Sequence, residues 1–311
     1  MAARLLTVPN VSEGRRRRVI DRLAAALSGA PGVHLLDRSS DPDHNRSVFT
    51  AAGDAPDLVA ALLALYEAAL GEIDLGRHRG AHPRVGAVDV VPFVPLVTGR
   101  AFGATPETSM ADAVAAARRL GAEVAGRFDL PVYLYEEAAA RPERRRLPDL
   151  RRGGFEGFPD KFARPGWEPD FGPRRVHPTA GVTVVGARFF LIAFNAVLDG
   201  GDPAVAREVA RAVRESSGGL PAVRAIGVML ASRGLAQVSM NLLDYRRTSI
   251  AAALAAVEAE AARRGARVLE TEVVGLVPRA AVCGELGADR VLEDRLEAAL
   301  SARARRRRRR G

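Results

Sequence analysis

At 311 residues, 48% of them apolar, the chain is long enough for two modest domains or one large one, with ample material for a core. No run of about 18 uncharged apolar residues occurs, which argues against a membrane-spanning helix; the nearest stretch, Gly181 to Leu198, is broken by Arg188 and Asn195. The net charge of +9 at pH 7 falls to +2 without the seven arginines at 303 and 305–310, so basicity belongs to a tail that reads as disordered and solvated.

Leu5 to Pro9 reads as a short strand, and Ser12 is placed to cap a helix from Gly14 to Leu27 with Val19, Ile20, Leu23 and Leu27 on one face. Val33 to Leu36 is a buried strand ending at Asp37, and Asp41-Pro42-Asp43 is turn chemistry before a strand from Arg46 to Ala52. An amphipathic helix covers Pro56 to Leu70, a strand Val88 to Leu96, a helix Pro106 to Ala125 and a strand Val132 to Tyr135. Arg141 to Pro178 is rich in Gly, Pro, Arg and aromatics and shows no sustained period, so it reads as an ordered crossing between two domains. Strands then follow at Val182 to Val185 and Phe189 to Val197, a helix at Pro203 to Arg214 and a strand at Val223 to Leu230. Beyond a turn at Arg233-Gly234 come a strand from Gln237 to Leu243, a helix from Ser249 to Arg263 and a strand from Arg267 to Val274.

Both halves give the order β-α-β-β-α-β. The expected fold class is therefore α+β: two ferredoxin-like subdomains, with helices on one face of mixed or antiparallel sheets and a ligand cleft between them. The expected divisions are 1–180, 181–300 and a disordered tail at 301–311. The N-terminus lacks a basic-then-apolar signal peptide, since Pro9 and Asn10 interrupt its first apolar run, and a cytoplasmic protein is expected.

The densest chemistry lies from Arg77 to Phe93, R-H-R-G-A-H-P-R-V-G-A-V-D-V-V-P-F. Gly80, Pro83 and Gly86 are too close together for a helix, so His78 and His82 lie on a shaped loop at the mouth of a strand. A histidine fixed there moves protons near neutral pH. Two histidines four apart also suggest metal, but on a loop and without H-E-x-x-H no metal is expected. G-x-S-x-G, P-loop and G-x-G-x-x-G patterns are absent. Asp41, Asp43, His44, Asn45 and Arg46 form a second cluster, read either as a capped turn or as polar groups that orient His82 or hold a cationic substrate group. Trp167 to Gly172 is either a linker plug or a rigid aromatic wall for a flat heterocycle. The single cysteine, Cys283, excludes an internal disulfide and a cysteine zinc site, and its apolar neighbours predict a buried thiol. Lys161 is the only lysine against 45 arginines, so arginine number alone says little about anionic ligands. No nucleic-acid partner is expected apart from contacts of the arginine tail.

Several motifs together carry a resemblance. V-P-N-V-S-E-G (Val8 to Gly14), the run from His78 to Phe93, P-V-Y-L-Y-E-E-A-A (Pro131 to Ala139) and W-E-P-D-F-G-P (Trp167 to Pro173) are four of them. G-A-R-F-F-L-I-A-F-N (Gly186 to Asn195), L-A-Q-V-S-M-N-L-L-D (Leu235 to Asp244) and V-G-L-V-P (Val274 to Pro278) complete the series. Together they resemble the glutamate formimidoyltransferase family, in a stand-alone form without the cyclodeaminase module that follows in fused relatives. The resemblance spans Val8 to Pro278. It implies N- and C-subdomains of α+β type, a homodimer, and transfer of a formimidoyl group from N-formimidoyl-L-glutamate to N5 of the co-substrate tetrahydrofolate.

On this resemblance the catalytic histidine falls on His82. The folate-contacting segment falls on Ala163, Arg164, Pro165, Gly166, Trp167, Glu168, Pro169, Asp170, Phe171 and Gly172. Asp41 or Asp43 is expected to hold the cationic amidine, and Arg46, Arg84 and Arg188 the substrate carboxylates. One departure stands out: the family places a second acid two residues after Asp37, where this chain has Ser39. Either Asp41 or Asp43 supplies that acid, or the chain acts on N-formylglutamate, or it binds folate without catalysis.

Overall fold

The computed structural model describes residues 4–96 and 108–308 and divides into two units, Met1–Arg188 and Phe189–Gly311. In the first, β1 (Arg4–Thr7) and β2 (Asn10–Val11) follow one path interrupted around Pro9, which has no amide to give to the ladder. The chain continues through α1 (Arg17–Ser28), β3 (His34–Asp41), β4 (Arg46–Asp54), α2 (Ala55–Glu72) and β5 (Val88–Pro95). β1 pairs antiparallel with both β4 and β5, and β3 pairs with β4, so the spatial order is β5-β1-β4-β3. This is the ferredoxin-like path expected from the element order. It is extended by α3 (Met110–Phe128), β6 (Val132–Glu136) and β7 (Thr183–Ala187): β7 lies parallel to β5, and β6 parallel to β7. The expected start of α3 at Pro106 lies outside the described residues; the helix is closed at Ser109 by a reciprocal capping box with Asp112.

Strand alternation separates two cores. Leu5, Phe49, Val91, Phe93 and Leu134 face α1, α2 and α3, whose apolar stripes contribute Leu23, Leu62 and Leu120. Val90, Tyr133, Tyr135, Val182 and Val184 face the other way, against Leu150 of α4 (Leu147–Arg151) and Phe158 and Phe162 of α5 (Phe158–Phe162). The aperiodic stretch from Arg141 to Pro178 is therefore not a crossing between domains. It covers the second face of the first sheet, because the aromatic side chains of β6 need a partner layer.

Phe189–Gly311 repeats the path: β8 (Ile192–Leu198), α6 (Pro203–Val213), β9 (Val223–Leu230), β10 (Leu235–Leu242), α7 (Ile250–Ala262) and β11 (Val268–Val274). The order is β11-β8-β10-β9, all antiparallel, with Phe194, Val238 and Met240 packed against Val209, Val213 and Val257 of the helices. A final helix, α8 (Leu292–Arg308), follows.

Four expectations are corrected. The division at 180/181 moves to 188/189, because the strand beginning at Thr183 pairs with β5 and β6 rather than opening the second sheet. The expected disordered tail is helical as far as Arg308, in keeping with the high helix propensity of alanine and arginine; 309–311 lie outside the described residues. Cys283 is exposed rather than buried, on a turn closed by Leu286. Ser12 does not cap α1: its hydroxyl donates to the Gly86 carbonyl at 2.7 Å, and Glu13 Oε1 instead accepts the Arg15 and Arg16 amides ahead of the helix.

Candidate active site

Three segments distant in sequence are clasped together at one end of the first sheet. Asn45 stands at φ 49°, a left-handed conformation that asparagine tolerates. Its Oδ1 accepts the Gly14 amide at 2.9 Å, and its Nδ2 donates to the Arg79 carbonyl at 3.0 Å. Gly14 and Gly80 allow the close approach: a Cβ would sit 2.2 Å from the Asp41 carbonyl oxygen at the first, and 2.3 Å from that of His44 at the second. The Ala81 amide donates to the Asp43 carbonyl. The glycines in V-P-N-V-S-E-G and H-R-G-A-H-P thus serve one joint. His78 braces it: buried, it donates from Nε2 to the Asn45 carbonyl at 2.8 Å, and its Nδ1 accepts Arg84 Nε at 3.2 Å. Burial, helped by Arg84, holds its pKa below the usual histidine value. Both ring nitrogens are thereby used within the protein, so His78 and His82 do not form a ligand pair.

His82 projects from this joint. Its Nδ1 lies 2.8 Å from the Pro83 carbonyl and 3.3 Å from Arg46 Nη1. A carbonyl only accepts, so the shorter contact puts the hydrogen on Nδ1 and leaves the lone pair on Nε2, which has no partner among the described residues. Burial, then Arg46, Arg151 and His44, hold its pKa well below the usual value. The ring is neutral at physiological pH.

Beneath the imidazole is a charged network. Asp89 is fully buried. One carboxylate oxygen accepts the Val85 and Gly86 amides at 2.8 and 3.3 Å; the other accepts Arg46 Nη1 at 2.9 Å and Arg151 Nη2. Burial alone would raise the Asp89 pKa, but Arg151, Arg46 and the two amides bring it below the usual value. Arg46 is lowered to about 10 by burial and by Arg151, and remains a cation. His44, 7% exposed, stacks obliquely near His82 with centroids 5.7 Å apart, and its buried Nε2 has no hydrogen-bond partner.

The structure therefore joins His82 to Arg46, and the other expected groups have partners of their own. Asp41 Oδ1 accepts the His44 amide at 2.8 Å and so closes the β3–β4 turn, while Asp43 is half-buried in the same turn. Asp37, Ser39 and Asp41 oppose Thr50, Val48 and Arg46, which places them on one face of the sheet; the Ser39 hydroxyl donates to Asp37 Oδ2 at 3.1 Å. Arg84 is committed to a bidentate pair with Glu156 at 2.8 and 2.9 Å, which holds that carboxyl down at about 2. Arg188 donates its amide to the Phe93 carbonyl, and its side chain hydrogen-bonds Tyr135.

The segment from Ala163 to Gly172 is laced along β6. Asp170 accepts the Leu134 amide at 2.7 Å and Arg144 Nη2 at 2.8 Å; Tyr133 donates its hydroxyl to the Trp167 carbonyl, and Arg144 donates to that of Glu168. Gly172 stands at φ 86° where a Cβ would meet the Leu130 carbonyl at 2.6 Å. Phe171 packs inward, beside Gly121 of α3, whereas Ala163, Arg164 and Pro165 are exposed. Trp167 is half-buried, with Lys161 Nζ 4.8 Å from its ring centre.

Sequence reasoning missed Arg151 and the role of Asp89. An acid inside V-D-V-V was the available signal, since a buried carboxylate demands cationic or amide partners. Nothing in the aperiodic region marked Arg151 as one of them.

The family described as formiminotransferase domain, N-terminal subdomain, matches residues 4–188, and the formiminotransferase domain matches 193–288. Glutamate formimidoyltransferase of Streptococcus pyogenes serotype M1 is 42% identical over 282 residues, 91% of this chain and 91% of that protein. Its namesake from Thermoplasma acidophilum is 42% identical over 277 residues, covering 88% of each. Formimidoyltransferase-cyclodeaminase of Mus musculus is 40% identical over 277 residues, which are 87% of this chain and 49% of that protein. With the formiminotransferase domain models matching both units and relatives 42% identical over about nine-tenths of the chain, the chain belongs to the formiminotransferase family.

Proposed function

We propose that this protein transfers a formimidoyl group from N-formimidoyl-L-glutamate to N5 of tetrahydrofolate, with His82 as the proton-transferring group. The observation that carries this reading is the His82 imidazole: hydrogen-bonded to Pro83 through Nδ1, neutral, with Nε2 unpartnered among the described residues. N5 attacks the amidine carbon and gains positive charge. Nε2 takes its proton. The bond from carbon to the glutamate nitrogen then breaks, and the imidazolium returns a proton to that departing nitrogen. Arg46 and Arg151 make the imidazolium a strong acid for this second step.

Trp167 and its neighbours from Ala163 to Gly172 form the wall against which the pteridine stacks in this reading. Asp41 or Asp43, in the turn that leads to His44 and Arg46, holds the cationic amidine in this reading. A homodimer and a cytoplasmic location belong to the same reading and rest on the family resemblance.

The test is mass spectrometry of folate products after incubation of the full chain with tetrahydrofolate and either N-formimidoyl- or N-formyl-L-glutamate. The reading expects 5-formimidoyltetrahydrofolate from the first donor at the higher rate. Faster formyl transfer, or saturable folate binding with no product from either donor, overturns it.

A further inference from the structure

The segment that closes over the first sheet brings an under-used guanidinium to Asp89. The Arg151 side chain is 12% exposed. Asp89 is its one hydrogen-bonding acceptor among the described residues, and its Nε is buried without a partner. Arg46, also 12% exposed, is better served: Nη1 donates to Asp89 at 2.9 Å, and Nε and Nη2 donate to Asn10 Oδ1 at 3.2 and 2.6 Å. Two buried cations thus share one carboxylate whose other oxygen is taken by backbone amides. One positive charge is left over beside an imidazole that is itself neutral. A buried charge without a counter-ion is costly, and guanidinium forks match carboxylates bidentately.

We propose that Arg151, together with Arg46, forms the subsite for the α-carboxylate of the donor's glutamate. This rests on the reading of His82 given above. The choice of carboxylate follows from covalent distance. The α-carboxylate hangs on the carbon that bears the departing nitrogen, so its oxygens lie roughly 3 Å from that atom. Arg46 Nη1 lies 3.3 Å from Nδ1 of the same imidazole whose Nε2 must reach that departing nitrogen. The donor's γ-carboxylate is two carbons further along the side chain. The carboxylates of tetrahydrofolate are separated from N5 by an aminobenzoyl ring. Of the four acidic groups in the two substrates, only the α-carboxylate must enter the neighbourhood of the base during the reaction.

The test pairs substrate and enzyme changes. N-formimidoyl-L-glutamate is compared with its α-carboxamide analogue (the isoglutamine derivative) and its γ-carboxamide analogue (the glutamine derivative) on the wild-type full chain, Arg151→Met and Arg151→Lys. Loss of a charge-assisted fork predicts a fall in kcat/KM of about 10- to 100-fold for Arg151→Met with the parent donor and the γ-amide. With the α-amide donor the same substitution costs less than about threefold, because the interaction is already absent. Arg151→Lys is intermediate, since it keeps the charge but not the fork. KM for tetrahydrofolate stays unchanged.

An equal loss with all three donors, the pattern of a damaged fold, overturns the assignment, as does no loss with any. Calorimetric titration of L-glutamate and of isoglutamine gives a reading independent of turnover: Arg151→Met weakens glutamate by the same factor and leaves isoglutamine alone. If the wild type transfers from no donor, the functional reading fails, while the glutamate titration still decides the subsite.

Discussion

Replacing Asp89 by Asn keeps the shape of the side chain and removes its charge. All four groups that meet the carboxylate are donors: the Val85 and Gly86 amides on one oxygen, Arg46 and Arg151 on the other. An asparagine offers one acceptor oxygen and one NH2 group. Whichever way it turns, its NH2 faces two donors, so two hydrogen bonds are lost and both guanidiniums lose their counter-charge. Breaking a buried ion pair in this way costs about 3–5 kcal/mol. Both arginines are 12% exposed, so water compensates in part and the lower end, about 3 kcal/mol, is expected. In a domain of this size each kcal/mol lowers Tm by about 2–4 °C, which gives a fall of about 6–12 °C. Scanning calorimetry measures it directly, and urea titration at unchanged m separates lost stability from altered compactness. A Tm within about 2 °C of the parent refutes the reasoning, because such a small change leaves no room for a charge essential to the joint.

Other consequences follow from the same site. Burial and neighbouring cations depress the His82 pKa, so the neutral base persists as pH falls below 6.5; the acid limb of kcat/KM is expected below that value, and a limb at or above it contradicts the account. Gly80→Ala forces a Cβ to within 2.3 Å of the His44 carbonyl oxygen, a backbone atom, and is expected to destabilise the fold by about 1–3 kcal/mol in denaturant titration and to lower turnover. Trp167 is the single tryptophan, so tetrahydrofolate binding should change its emission, and Trp167→Ala should weaken that binding about tenfold or more by calorimetry; unchanged emission and affinity place the pteridine elsewhere.

The sequence made some of this legible for local reasons. Glycines, prolines and histidines between Arg77 and Gly86 mark a shaped loop before a strand, and that loop carries His82. The β-α-β-β-α-β order of both units was also readable, because each helix and strand keeps its own apolar period. What escaped depends on partners far along the chain. The strand at Thr183 has the same apolar texture as the one at Ile192, and only its pairing with β5 and β6 assigns it to the first sheet. Arg84 and Arg151 look alike as arginines; one is neutralised by Glu156, while the other reaches Asp89 from 62 positions away. Ser12 has the chemistry of a helix cap, but the Gly86 carbonyl, 74 positions away, takes its hydroxyl. Local propensity does not determine such contacts, because burial decides which polar groups must find one another.

The central claim is that the His82 imidazole moves the proton between the pterin amine and the departing glutamate. His82→Ala tests it most directly, with transfer followed by product mass spectrometry and folate affinity by calorimetry on the same preparation. Loss of an imidazole that serves as both base and acid predicts a fall in kcat of about 10²- to 10⁴-fold with tetrahydrofolate affinity within about threefold of the parent. Turnover within about threefold of wild type contradicts the claim.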